Sequence, residues 1–295
     1  MNELQGKIIK GIGGFYYVYV EARGIYECRA KGIFRKDKIK PLVGDQVVIS
    51  VISDEEMLGN IDSILERNNT LIRPSVANVD QAMVVFAAAE PKPNFNLLDR
   101  FLISMRLQDV PTVICFNKVD MVADDEIVKL AKIYEKSGSK VMFISVLEDD
   151  GVEDIKSVLK AKTTVLAGPS GVGKSSLLNR LAPDANMETG EISKKLKRGK
   201  HTTRHSEIFY IEPNTYVMDT PGFSSLDVRL LEKEEVKDYF EEFRDYEDEC
   251  KFLGCLHLKE PDCGVKEAVL RGEISEIRYE NYKLLIEEVE SKKKY

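Results

Sequence analysis

The spacing of apolar residues changes twice along the chain. Up to about residue 70 they come in short β-branched and aromatic runs, Lys7–Lys10, Phe15–Val20, Gly24–Ala30 and Gln46–Val51, punctuated by glycines. That pattern predicts about five short strands and suits a small barrel of the OB or SH3-like kind. From Gln81 onward, near-continuous apolar runs (Gln81–Phe86, Pro111–Phe116, Lys140–Ser145, Thr163–Ala167) alternate with amphipathic stretches (Asn96–Leu107, Asp124–Lys136, Val152–Lys160). Strands apolar on both faces, alternating with helices, predict a mostly parallel sheet covered on both sides. Asn68–Pro74 reads as the linker between the two patterns. Past residue 226 the spacing turns helical. An acidic helix is expected over Glu232–Asp248, then a terminal helix with Ile274, Ile277, Tyr282, Leu285, Ile286 and Val289 on one face. The expected domains are therefore 1–70, 71–225 and 226–295.

Composition narrows the class. The 295 residues are 43% hydrophobic and 32% charged, an ordinary globular balance. The longest uncharged apolar run, Ala82–Ala89, is too short to span a bilayer, and Met1–Gln5 lacks a basic-then-apolar leader pattern. A cytoplasmic protein with no membrane partner is expected. The net charge of −7 argues against a general nucleic-acid binder. Charge is uneven, however: Met1–Lys40 holds nine Lys/Arg against four Asp/Glu. There Tyr16, Tyr17 and Tyr19, with Lys7, Arg29, Lys31, Arg35 and Lys36, form either a stacking and phosphate-binding surface or an ordinary barrel rim.

Two motifs give the middle segment a chemistry. Gly168-Pro169-Ser170-Gly171-Val172-Gly173-Lys174-Ser175 fits GxxxxGK[ST], between an apolar strand and a helix-like run. In that context backbone N–H groups cradle phosphates, Lys174 reaches the β- and γ-phosphates and the Ser175 hydroxyl holds Mg²⁺. Ser176 follows and completes this candidate GTP-binding set. Asn117-Lys118-Val119-Asp120 ends the apolar run Val113–Phe116 and matches the NKxD guanine motif. A carboxylate at Asp120 can accept both edge N–H groups of guanine, a pairing adenine cannot offer. Asn117 is expected on the purine edge and the Lys118 stem over the ring. Ser145, ending the next apolar run, is expected to offer its backbone N–H to the guanine oxygen, although Val146 follows where most GTPases have alanine.

The order is reversed relative to ordinary GTPases: base motif first, phosphate loop second, switches last. Joining old termini and cutting elsewhere leaves every strand in place, so a circular permutation is physically tolerable. Asp219-Thr220-Pro221-Gly222 reads as switch two, with Asp219 on Mg²⁺ through water and the Gly222 N–H on the γ-phosphate. Phe223 stands where many GTPases place a water-orienting glutamine. The basic stretch Gly190–Arg204 is switch one by position, with Thr202 or Thr203 completing the Mg²⁺ shell and His201 expected to orient the attacking water. Cys250, Cys255, His257 and Cys263 make a Cys₃His set with the chemistry of a closed structural zinc site. The rival readings are an RNA-binding assembly module with nucleotide but no needed turnover, and a P-loop ATPase or kinase, which Asp120 opposes.

In this order the barrel-like start, Asn117–Asp120, Gly168–Ser175, Gly199-Lys200-His201-Thr202-Thr203, Asp219–Gly222 and the Cys/His cluster resemble one family over the whole chain. That family is the circularly permuted, small-ribosomal-subunit-dependent GTPases, known as RsgA, YjeQ or YloQ. The resemblance implies an N-terminal OB-fold barrel binding RNA, a permuted P-loop GTPase domain and a C-terminal helical zinc domain. It implies one structural Zn²⁺, Mg²⁺ with GTP, and hydrolysis of GTP to GDP stimulated by the small subunit late in its maturation. The implied partners are that subunit and its rRNA, met by a monomer, with the switch-one histidine, His201, catalytic. Lys200 stands where the family usually has arginine, and lysine makes no bidentate fork.

Overall fold

The computed structural model describes residues 3–32, 34, 39–72, 74–183, 206–219 and 231–292. The first strands are β1 (Glu3–Ile12), β2 (Phe15–Val20), β3 (Gly24–Ala30), β4 (Gln46–Ser53) and β5 (Leu58–Ile64). Then come β6 (Thr70–Leu71), β7 (Val76–Ala77), β8 (Gln81–Ala87), α1 (Phe95–Arg106), β9 (Thr112–Asn117), α2 (Asp124–Tyr134) and β10 (Lys140–Ile144). They are followed by α3 (Val152–Leu159), β11 (Thr163–Ala167), α4 (Lys174–Leu181), β12 (Glu207–Glu212) and β13 (Thr215–Asp219). The chain ends with α5 (Gly264–Leu270) and α6 (Glu276–Lys292). Two compact units result: Met1–Ala82, Glu153–Ala167 and Lys174–Phe223 form the first, the remaining segments the second.

The first unit holds a closed five-strand barrel. β1 pairs with both β2 and β4, β2 pairs with β3, β3 runs parallel to β5, and β5 returns to β4. That closure is OB-like. One long strand serves two partners because a bulge between Ile8 and Lys10 bends it, so Glu3–Lys7 face β4 and Lys7–Ile12 face β2. Ile8, Val18, Tyr26, Val47, Ile49 and Ile61 fill the interior. β1 also pairs with β12 at Lys10 and Glu207, β12 with β13, and β13 runs parallel to β11. The barrel is thus continuous with the strand that leads into the phosphate loop.

Three expectations for this unit change. Asn68–Pro74 is not a loose linker: β6 pairs with β7, Leu71 is buried, and the Asn78 side chain accepts from Asn68 N–H and donates to Gly44 O. Lys7 is not on a basic rim; it is 6% exposed and donates to Thr163 Oγ1 at 2.7 Å, 4.4 Å from the Tyr216 ring centre. Tyr17 donates to Glu27, Tyr19 packs on Tyr210 with centroids 5.0 Å apart, and Tyr16 lines a cavity. Arg35 and Lys36 lie outside the described residues.

The second unit carries β10–β9–β8, with β10 parallel to β9. α1 starts where Asn94 Oδ1 accepts the Leu97 N–H at 3.0 Å. The C-terminal segment packs on α1 around Ile103, Phe240, Phe243, Val265, Tyr282 and Leu285. The expected acidic helix is instead three short turns, Val236–Tyr239, Glu241–Phe243 and Arg244–Glu247. The break falls at Phe240 (φ −107°, ψ 86°), where the chain turns to bury both Phe240 and Phe243. On α6, Ile277 faces outward and Arg278 is buried. Arg278 bonds Glu242 through Nε and Nη2 (2.7 and 3.0 Å) and Asp99 through Nη1 (2.5 Å). Tyr134 and Asn281 bond the same Asp99, so α6 is joined to α1 and α2 by a closed polar network.

Candidate nucleotide site and metal centre

Loops at the carboxyl ends of parallel strands are where such sheets bind ligands, and β9 ends at Asn117. The Asn117 amide is 2% exposed and bridges two other loops. Its Nδ2 donates to Val172 O at 2.9 Å, and its Oδ1 accepts the Val146 N–H at 3.1 Å. Lys118 follows in the left-handed region (φ 68°, ψ 38°). Its ammonium donates to Gly171 O (2.8 Å) and Glu90 O (2.6 Å), so its stem spans from the base motif to the phosphate loop. The two motifs that the sequence separates by some fifty residues are therefore tied by two hydrogen bonds within one unit.

Glycine is needed where these loops close. A Cβ on Gly173 (φ +98°) would lie 2.2 Å from Asn117 Nδ2, and one on Gly168 (φ +136°) would lie 2.1 Å from Val85 O. Asp120 is exposed, and Ser145 Oγ donates to its Oδ1 at 2.5 Å. The Glu148 N–H donates to the same Ser145 oxygen, which fixes the hydroxyl toward Asp120. The Ser145 N–H itself donates to Asp150 O at 3.0 Å. The expected use of that N–H on guanine gives way to a hydroxyl that orients the carboxylate.

In the first unit, Lys174 opens α4, with Ser175 and Ser176 next in its first turn. Burial pulls the Lys174 amine below its ordinary pKa, and Asp219 at the end of β13 pulls it back up. His201, Thr202, Thr203 and Gly222 lie outside the described residues.

The Cys₃His set comes together in the second unit. Ligand atoms of Cys250, Cys255, His257 and Cys263 lie within 4.8 Å of one another. Cys250 Sγ is 3.8 Å from Cys263 Sγ, and His257 Nδ1 is 3.6 and 3.4 Å from those two sulfurs. A tetrahedron with Zn–S of about 2.3 Å and Zn–N of about 2.0 Å has edges of about 3.8 and 3.5 Å. The donor set fits that ion. Burial pushes the Cys263 thiol up to about 12, so the thiolate needs a cation beside it. Behind the imidazole, Glu247 Oε1 sits 3.4 Å from Nε2 and is itself paired with Lys237 at 3.1 Å. Tyr279 and Tyr282 donate to the carbonyls of His257 and Leu256 and hold the ligand loop from α6.

The RsgA GTPase family model matches residues 64–229, and the RsgA N-terminal domain model matches residues 5–59. The chain belongs to the RsgA GTPase family. A relative in Agathobacter rectalis, a small ribosomal subunit biogenesis GTPase RsgA, is 57% identical over 99% of this chain and 100% of its own. One of the same name in Alkaliphilus metalliredigens is 49% identical over 99% of each chain. Among solved structures, YloQ, a circularly permuted GTPase, is 42% identical with a TM-score of 0.77, covering 99% of this chain and 96% of YloQ. YjeQ from Thermotoga maritima is 36% identical with a TM-score of 0.79, covering 98% and 99%. The fold is accordingly an OB-like barrel, a circularly permuted GTPase domain and a C-terminal Cys/His cluster that could hold a metal ion. Among the described residues no helix is long and apolar enough to cross a membrane.

Sequence reasoning missed the Arg278–Asp99–Glu242 network and Glu247 behind His257. Arg278 was findable, since it falls four residues before Tyr282 on the buried face of α6 and four after the buried Ile274 that precedes the helix. Nothing local marks Asp99 or Glu242 as its partners.

Proposed function

We propose that this chain binds the small ribosomal subunit and hydrolyses GTP to GDP and phosphate during late maturation of that subunit, which stimulates the reaction. The observation that carries the nucleotide half is the pair of bonds joining Asn117 and Lys118 to Val172 and Gly171. These bonds tie Asn117 and Lys118 to Val172 and Gly171 within one unit, which supports the reading that both loops meet a single nucleotide. In this reading Asp120 accepts the guanine edge, steadied by Ser145, and Gly168–Gly173 present N–H groups to the phosphates. Lys174 reaches the β- and γ-phosphates, while Ser175, Asp219 and Thr202 or Thr203 hold Mg²⁺. That ion, when bound with GTP, neutralises charge shared by the β- and γ-oxygens. Gly222 senses the γ-phosphate and His201 orients water. Orientation of the attacking water falls to His201 because Phe223, at the position where many GTPases carry a glutamine, cannot supply it.

The remaining parts follow from the names of the relatives and from side-chain chemistry. The barrel (1–70) contacts rRNA, the middle segment (71–225) turns over nucleotide, and the last (226–295) is held by one structural Zn²⁺ on Cys250, Cys255, His257 and Cys263. The protein works in the cytoplasm as a monomer. The test is GTP turnover titrated with purified small subunits, with zinc measured on the same sample. A rate that rises with subunits and saturates supports the reading; a rate indifferent to them overturns it.

A further inference from the structure

The barrel carries a cavity of about 310 Å³ outside the nucleotide site. Its walls are Tyr16, Phe34, Ile39 and Pro41, and Lys31 and Lys40 stand at it; among the described residues no carboxylate lines it. The volume lies at the small end of the range that ligand pockets occupy, about 300–1,000 Å³. The register sets the Tyr16 ring against β1. Tyr16 pairs with Gly11, and a Cβ there would lie 3.5 Å from Tyr16 Cδ1, so one edge of the ring rests over bare backbone. Its hydroxyl has no partner among the described residues. Ile39, beside it in the cavity wall, is 48% exposed. Lys40 Nζ makes no ion pair among the described residues, and Lys31 is paired with Asp62 at 2.8 Å. The nearby acid Asp45 is clamped by Arg67 Nε and Nη2 at 2.6 and 2.8 Å.

Apolar walls beside Lys40 and the Asp62-paired Lys31, with no carboxylate among the described lining residues, fit a heteroaromatic ring carrying phosphate on each side. We infer that this cavity holds one unpaired RNA base, stacked on Tyr16, with its flanking phosphates against Lys40 and Lys31. The inference rests on the rRNA reading of the barrel and names the place and the form of the contact. Stacking on a π-face tolerates any base, so the site selects for an unpaired nucleotide rather than for a sequence.

The chain has no tryptophan, so a fluorescent base can be read without overlap. The probe is a single-stranded RNA hexamer with one central 2-aminopurine, titrated with the full-length protein. Quenching of the probe is expected with wild type. Tyr16→Ala should weaken binding tenfold or more, Tyr16→Phe should restore it, and Lys40→Gln should flatten the salt dependence by roughly one phosphate contact. Ile52→Ala, an exposed apolar truncation elsewhere on the barrel, should leave binding unchanged. Circular dichroism melts check that each variant is folded. No quenching by wild type, equal binding by Tyr16→Ala, or displacement of the probe by an acidic peptide but not by unlabelled RNA would overturn the inference. If subunit-stimulated turnover persists in wild type while Tyr16→Ala binds the hexamer normally, the pocket fails and the proposed function stands. If subunits never stimulate turnover, the proposed function fails on its own test.

Discussion

Replacing Arg278 by methionine removes one guanidinium and leaves two buried carboxylates. Methionine keeps much of the stem volume, so the loss is mostly electrostatic. Asp99 retains Tyr134 (3.0 Å) and Asn281 (2.6 Å), but Glu242, 3% exposed, keeps no other hydrogen bond among the described residues. Removing one partner of a buried pair costs about 3–5 kcal/mol, and two orphaned acids put this case near the top, about 5 kcal/mol. The cost should depend on pH with a definite sign. Burial already lifts Asp99 above the usual carboxylate range, and Arg278 is the first influence opposing that lift. Without Arg278 the carboxyl rises further. A carboxyl whose folded pKa is raised destabilises the fold at high pH and ceases to do so once protonated. The deficit should therefore be largest at about pH 8 and shrink toward about pH 5. Urea unfolding followed by far-ultraviolet circular dichroism and tyrosine emission reads it. Adding Asp99→Asn and Glu242→Gln to the variant should recover most of the loss, since no unpaired charge then remains. A deficit below about 1 kcal/mol, typical of a surface pair, or one flat with pH, would refute the reasoning.

Three further outcomes are expected. Gly173→Ala places a methyl 2.2 Å from Asn117 Nδ2 at a φ that L side chains resist, so affinity for a fluorescent GDP analogue should fall at least about tenfold and the melting temperature should drop with it, reflecting a loss of about 1–3 kcal/mol of stability. Glu247→Gln weakens the support behind His257, and competition with a chromophoric chelator should show metal held roughly 10–100-fold less tightly. Lys7 has its amine lowered to about 8 by burial, opposed by Asp80, so between about pH 8 and 10.5 the unfolded chain binds more protons than the folded one. Stability of the wild type should thus rise with pH across that window relative to Lys7→Met, by on the order of 3 kcal/mol in paired urea titrations.

What the sequence made legible was local chemistry. Gly168–Ser175 and Asn117–Asp120 are short, contiguous and constrained by backbone geometry, so their residue types alone identified them. The Cys₃His set was legible because its ligands fall within fourteen residues. The barrel was legible as a strand count, and the β5 strand Leu58–Ile64 went unmarked because its apolar positions are sparse. What stayed hidden were long-range polar pairings. Lys7 looked like a surface cation and is buried against Thr163, 156 residues away. Arg278 looked like a polar position and is the centre of a network reaching back 179 residues to Asp99. Ile277 is expected inward on hydrophobicity, but the buried face of α6 runs through Arg278, Tyr282, Leu285, Ile286 and Val289 and leaves Ile277 outside it. Ser145 was read for its backbone, but a two-residue bridge with Asp150 occupies that backbone and frees the hydroxyl for Asp120.

In the proposed function, Asp120 reads the guanine of the nucleotide whose phosphates meet the Gly168–Gly173 loop. Hydrolysis of GTP and of xanthosine triphosphate by Asp120→Asn, measured with saturating small subunits, tests it most directly. Exchanging the carboxylate for an amide should cut use of GTP by at least about a hundredfold and restore turnover with the xanthine nucleotide. A variant that still prefers GTP as the wild type does would contradict it.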